Sequence, residues 1–100
     1  MAYELLVGLT VADDAAYTRY REAMAPILSA HGGGFRYDFR IGEVLRTAAE
    51  HPINRVFAIY FRDRANQEAF FSNTEYLAVK AAHFEGAVDG TTILAEYERE

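Results

Sequence analysis

The residues of this chain best suited to proton chemistry are His83 and a set of tyrosines. A neutral imidazole accepts a proton near pH 7, which makes His83 the candidate general base. A tyrosine hydroxyl can donate a hydrogen bond to a developing oxyanion, and Tyr17 is the candidate for that role. A base and a donor at one pocket are the minimum for catalysis without a cofactor. Tyr20 and Tyr76 are candidate ligand-binding residues, because buried hydroxyls need partners and can line small pockets. Plain core packing is the competing reading of all four.

Arg36, Asp38 and Arg40 alternate along one stretch and are expected to point to the same face. With Glu4 or Glu96 they could hold a small polar ligand. A cross-strand ladder of ion pairs fits them better, since alternating signs cancel rather than focus a field. The remaining histidines, His31 and His51, fall at a helix end and before a proline. No HExxH spacing occurs and there is no cysteine, so no metal site is expected. Only Ser29 and Ser72 could serve as serine nucleophiles, and neither lies in a GxSxG turn. Ser72 stands three residues before Glu75, the spacing of a capping box.

The elements that must position these groups follow from periodicity. Tyr3, Leu5, Val7, Leu9 and Val11 repeat every second residue, as in a strand. Asp13 and Asp14 suit a helix start, and Tyr17, Tyr20, Met24, Ile27, Leu28 and His31 continue at helical spacing. Pro26 should bend this helix near Glu22 without ending it. The run Gly32-Gly33-Gly34 then lies after a helix and before a strand. Phosphate-binding loops have the opposite order, with the glycines opening a helix, so this run reads as a helix stop and a tight turn. Phe35 to Ile41 alternate as a strand, with a bulge expected at Gly42 before Glu43-Val44-Leu45 extends it. Thr47 to Asn54 is a connector, and Arg55 to Phe61 is apolar on both faces like a central strand. Asp63 caps a short helix, a further helix runs through Tyr76 to Phe84, and Thr91 to Glu98 is the last strand.

The order βαββαβ predicts an α+β fold, a ferredoxin-like sandwich with an antiparallel sheet, as one domain over residues 1–100. One sheet face gathers Leu5, Val7, Leu9, Phe35, Tyr37, Phe39, Phe57, Ile59, Phe61, Ile93, Ala95 and Tyr97, enough to pack under two helices. The other mixes Leu6, Val56, Ala58, Tyr60 and Leu94 with Glu4, Arg36, Asp38, Arg40 and Glu96. That mixture suits coverage by a second copy, so a homodimer through the sheet face is expected. A net charge of −5 argues against nucleic acid, and no apolar run approaches the about 20 residues of a membrane span. The first ten residues lack the basic, apolar pattern of a signal peptide, so a cytoplasmic location is expected.

Tyr17, Tyr20, Pro26, Gly32-Gly33 and above all AFFSNTEYLAVKAAHF (Ala69 to Phe84) resemble a family catalogued as a domain of unknown function, number thirteen-thirty. Phe70-Phe71, Glu75 and Tyr76 match its pattern. Asn73-Thr74 stand for Ser-Pro, His83 takes the position of an arginine, and Asp38 lies where many relatives carry arginine. The resemblance covers essentially the whole chain and implies a dimeric α+β barrel. It implies no established activity, and two functional classes remain. One is a binder of a small apolar or aromatic molecule between sheet and helices. The other is a cofactor-free enzyme, since the superfamily includes monooxygenases and isomerases acting on aromatic compounds. A structural dimer module is a third possibility.

Overall fold

The strand β1 (Ala2–Val11) is followed by helix α1 (Asp14–Ala30), strands β2 (Gly34–Arg40) and β3 (Arg55–Phe61), and helix α2 (Arg64–Ser72). Helix α3 (Thr74–Val79) runs on into a π-turn at Lys80–Phe84, and β4 (Val88–Arg99) closes the chain. The computed structural model describes residues 1–100. The sheet is antiparallel, in the order β2-β3-β1-β4. This is the expected βαββαβ ferredoxin-like sandwich.

Helix α1 starts where Asp13 accepts from the Ala16 N–H at 3.0 Å, satisfying one of the donors that a helix leaves free at its start. Its buried face carries Tyr17, Tyr20, Met24 and Leu28, and the helix continues through Pro26. It stops at Gly32, whose φ of +69° few other residues adopt cheaply. There the Gly32 N–H donates to Ser29 and the Gly33 N–H to Leu28, each at 3.0 Å. These paired bonds are a Schellman cap, so the glycine run is the corner expected of it.

Two sheet assignments need correction, both because of bulges. In β2, Phe35 pairs with Ile59 but Tyr37 pairs with Ala58, leaving Arg36 as an extra residue. The insertion resets the alternation. Tyr37 and Phe39 therefore leave the helix face and lie 50% and 53% exposed on the open one. Asp38 and Arg40 turn the other way, opposite Phe57 and Arg55. Arg36, Asp38 and Arg40 thus do not share a face. In β4, Leu94 is the extra residue between the pairs Leu6–Ala95 and Val7–Ile93. Ala95 and Tyr97 consequently join the open face, while Glu96 lies on the helix side and accepts from the Tyr3 hydroxyl at 3.1 Å.

Three local expectations also change. Residues Glu43 to Leu45 do not extend β2; the chain from Ile41 to Asn54 is an irregular connector. It is stitched to the sheet by its end, where the Asn54 side chain bonds both backbone groups of Val11 at 2.8 and 2.9 Å. His51 bonds Thr10 and Thr92, each at 2.7 Å. The cap of α3 is Asn73, accepting from Tyr76 N–H at 2.9 Å. Ser72 is the last residue of α2, and its hydroxyl donates back to the Glu68 carbonyl at 2.9 Å. Finally, β4 begins at Val88, earlier than expected, and runs through Gly90.

The main hydrophobic cluster lies on one side of the sheet, while Ile53 of the connector is buried against Gly8 on the other. Leu5, Val7 and Leu9 of β1 and Phe57, Ile59 and Phe61 of β3 meet the α1 stripe, Phe70 and Tyr76 in one cluster. The opposite face has no helix on it.

Candidate functional site

Between the sheet and the helices lies a cavity of about 420 Å³, with 13 of its 16 lining residues hydrophobic. Its floor is the core face of β1 and β3. Tyr17, Tyr20 and Met24 of α1 form one wall and Tyr76 of α3 contributes to another. The π-turn brings Phe84 into the same lining. A π-turn holds about one more residue per turn than an α-helix, so Tyr76, Lys80 and Phe84 stay on one side instead of spiralling away. The Glu85 N–H donates five residues back to Lys80, closing that wider turn at 3.2 Å.

The tyrosines form a connected set. Tyr20 and Tyr76 share a hydrogen bond between their hydroxyls at 2.8 Å, in a buried setting. Burial, with the neighbouring Tyr76 hydroxyl, raises the Tyr20 pKa far above its ordinary value. Burial also raises Tyr76 and Tyr17. All three stay protonated at neutral pH, so they act as hydrogen-bond donors and acceptors and not as bases. Tyr17 stacks on Tyr20 at 5.6 Å between centroids, and its hydroxyl accepts from Arg21 Nε at 2.8 Å. Tyr20→Phe is expected to cost about 1–2 kcal/mol by leaving the Tyr76 hydroxyl unpaired. Tyr20→Phe combined with Tyr76→Phe should recover part of that loss in a urea titration.

Of the other anticipated site residues, His83 lies on the π-turn, half-buried, and does not line the cavity. The structure therefore does not bring it to the same pocket as Tyr17. Arg36, Asp38 and Arg40 are also outside the lining and form two separate clusters.

The first cluster is on the helix side. Asp38 accepts from Arg55 Nε and Nη2 at 2.8 Å each and from Arg21 Nη1 at 3.2 Å. Arg40 pairs with Asp14 at 2.9 Å. The Arg21 guanidinium lies 3.7 Å from the centre of the Phe35 ring, so it covers the outer side of a cavity-lining residue. Burial alone would raise the Asp38 carboxyl, but the Arg55 hydrogen bonds and the Arg21 charge outweigh it and hold its pKa low. The second cluster is on the open face. Glu4, fully buried, accepts from the Tyr97 hydroxyl and from Arg36 Nε at 2.6 Å, with Arg99 at 3.7 Å. Again burial acts upward, and the bonds from Tyr97 and Arg36 bring the Glu4 pKa below its usual value.

Both carboxylates titrate lower in the folded chain than unfolded, so their stabilisation is complete above the ordinary carboxylate range. It disappears as pH falls through that range toward their folded values. The melting temperature is expected to be level from about pH 5 to 7 and to drop below about pH 4. Asp38→Asn should flatten part of that drop in a pH series of thermal melts.

Arg21, Arg55 and Lys80 were missed in the sequence. Arg21 stands four residues after Tyr17 on the buried stripe, and Lys80 stands four after Tyr76, which are the spacings that could have found them.

A four-stranded antiparallel sheet with one face under helices and a cavity between the layers defines a ferredoxin-like α+β protein. The chain belongs to the family described as Domain of unknown function (DUF1330), matched over residues 2–97. No curated protein matches it in sequence. Among solved structures it is similar to a protein of unknown function from Rhodopseudomonas palustris, with a TM-score of 0.82 and 14% identity over 99% of this chain and 82% of that one. It is similar to a dimeric ferredoxin-like protein of unknown function from Bacteroides fragilis, with a TM-score of 0.59 and 14% identity over 98% and 96%. A protein from Nitrosomonas europaea, named provisionally as an antibiotic biosynthesis monooxygenase, gives a TM-score of 0.55 and 16% identity over 96% and 88%. These likenesses show a shared fold. No helix is long and apolar enough to cross a membrane.

Proposed function

We propose that this protein binds a small apolar or aromatic molecule in the cavity between sheet and helices, and that it does so as a homodimer. The observation that carries the reading is the cavity itself: its walls are mostly hydrophobic and aromatic, with a few convergent hydroxyls. The experiment is native mass spectrometry of protein purified gently from its source. A retained small molecule of defined mass supports binding. An empty protein that also fails to take up a naphthalene-type dye at micromolar concentration sinks it.

The homodimer reading rests on the open face. Tyr37, Phe39 and Leu94 are 50%, 53% and 44% exposed there, with Tyr37 and Phe39 stacked at 5.9 Å. The stacked Tyr37–Phe39 pair, with Leu94 on the opposite outer strand, is exposed apolar surface of the kind that a second copy would cover. A charge in its centre would be desolvated without a partner. Phe39→Glu is accordingly expected to weaken dimerisation on the order of 100-fold, read by sedimentation velocity.

An enzyme of the monooxygenase type would need a proton acceptor within the cavity. The lining tyrosines are held neutral and His83 is outside, so the geometry favours binding over base catalysis.

A further inference from the structure

We infer that the cavity takes an amphipathic monocarboxylate, its apolar body inside and its carboxylate at the mouth beside Lys80; this rests on the cavity being a binding site. The lining residues divide by exposure. Those of β1, β3, α1 and α3 are deeply buried and Phe35 of β2 is half-buried, whereas Gln67, Phe71, Lys80, Phe84, Thr91 and Ile93 are partly or well exposed. The latter come from α2, the π-turn and β4, so the entrance lies where the helices leave β4 uncovered.

Apart from the tyrosines, the polar side chains of the lining all belong to that entrance: Gln67, Lys80 and Thr91. They are an amide, an ammonium and a hydroxyl, each able to donate to an anion. Lys80 is the only lysine in a chain of net charge −5, yet it makes none of the ion pairs in the protein. Its ammonium lies 5.8 Å from the centre of the Phe84 ring, on the cavity wall. The nine arginines contribute nothing to this lining. An unpaired cation flanked by two neutral donors, over an apolar cavity with no carboxylate in its lining, is complementary to one negative head on an apolar body.

Dodecanoate and dodecanol form the test pair, compared at pH 7.5 by displacement of a naphthalene-type dye and by calorimetry. The acid is expected to bind about fivefold to tenfold more tightly than the alcohol, as a charge-assisted contact at a partly exposed rim allows. The preference should shrink in high salt. Lys80→Met should bring the ratio of acid to alcohol affinity to about one, and Lys80→Arg should keep the preference and control for folding. Equal binding of acid and alcohol to the unaltered protein overturns this inference and leaves the binding reading intact. So does a preference that persists in Lys80→Met. Binding of neither compound overturns both.

Discussion

Replacing Asp38 with alanine is expected to lower stability by about 2–3 kcal/mol, on the order of 10–20 °C in melting temperature. Asp38 is the shared counter-charge of two guanidinium groups, Arg21 and Arg55, whose side chains are only 15% and 13% exposed. Both guanidiniums lie 5.1 Å from the centre of the Tyr17 ring, packed between α1 and the sheet. Arg21 Nη2 and Arg55 Nη1 already lack a hydrogen-bond partner, so neither group has spare satisfaction to draw on. Without Asp38, two like charges face each other with only Asp14, 3.5 Å from Arg55, as compensation. Asp38 itself is about a third exposed, and entering water limits the loss to the lower part of the range for broken ion pairs. Adding Arg21→Met should restore more than half of the lost stability, because the second positive charge is then absent and an apolar chain meets Phe35. Strictly additive losses in the double variant would mean that Asp38 does not act by neutralising that pair.

Phe70→Ala should cost about 3–4 kcal/mol, more than any other single aromatic truncation except Phe61→Ala. The Phe70 ring is fully buried and sits at the junction of every helix. It lies 4.3 Å from the Tyr76 ring, 5.1 Å from Phe71, 5.6 Å from Phe61 and 5.8 Å from His31 at the end of α1. No neighbour can move into the vacated volume without abandoning another contact, so both the transfer and the cavity contributions are lost. The adjacent Phe71 is 37% exposed, and Phe71→Ala should cost about 1 kcal/mol. Urea titrations should show a lower midpoint with unchanged slope for Phe70→Ala and a small shift for Phe71→Ala. Equal losses would place the junction elsewhere.

The elements were legible where a local pattern dictates them. The alternation of β1, the apolar run of β3 and the stripe of α1 each carry their own period, and the glycine corner follows from helix polarity. Face assignments on β2 and β4 were not legible, because a bulge reverses parity without marking itself. Arg36 and Leu94 are ordinary strand residues, and nothing in either type announces an unpaired position. The cap of α3 slipped by one residue because Ser72 and Asn73 are both good caps, and only the backbone decides between them. Within the site, Tyr17, Tyr20 and Tyr76 could be recognised as buried hydroxyls needing partners. The separation of Asp38 from Arg36 could not, since it depends on the same bulge. His83 shares its turn with Lys80, and that Phe84 rather than His83 lines the cavity depends on a π-turn that no residue type specifies.

The bulges have a consequence for how copies of this chain can join. In the order β2-β3-β1-β4 both outer strands carry inserted residues: Arg36 in β2, and Asp89 and Leu94 in β4. An outer strand normally offers a straight row of free N–H and C=O groups on which another chain can add itself as a further strand. Each insertion kinks the strand and breaks the spacing of that row. The sheet is therefore a poor template for lateral growth, and crowding should not zip its rims into ribbons or cross-β fibrils.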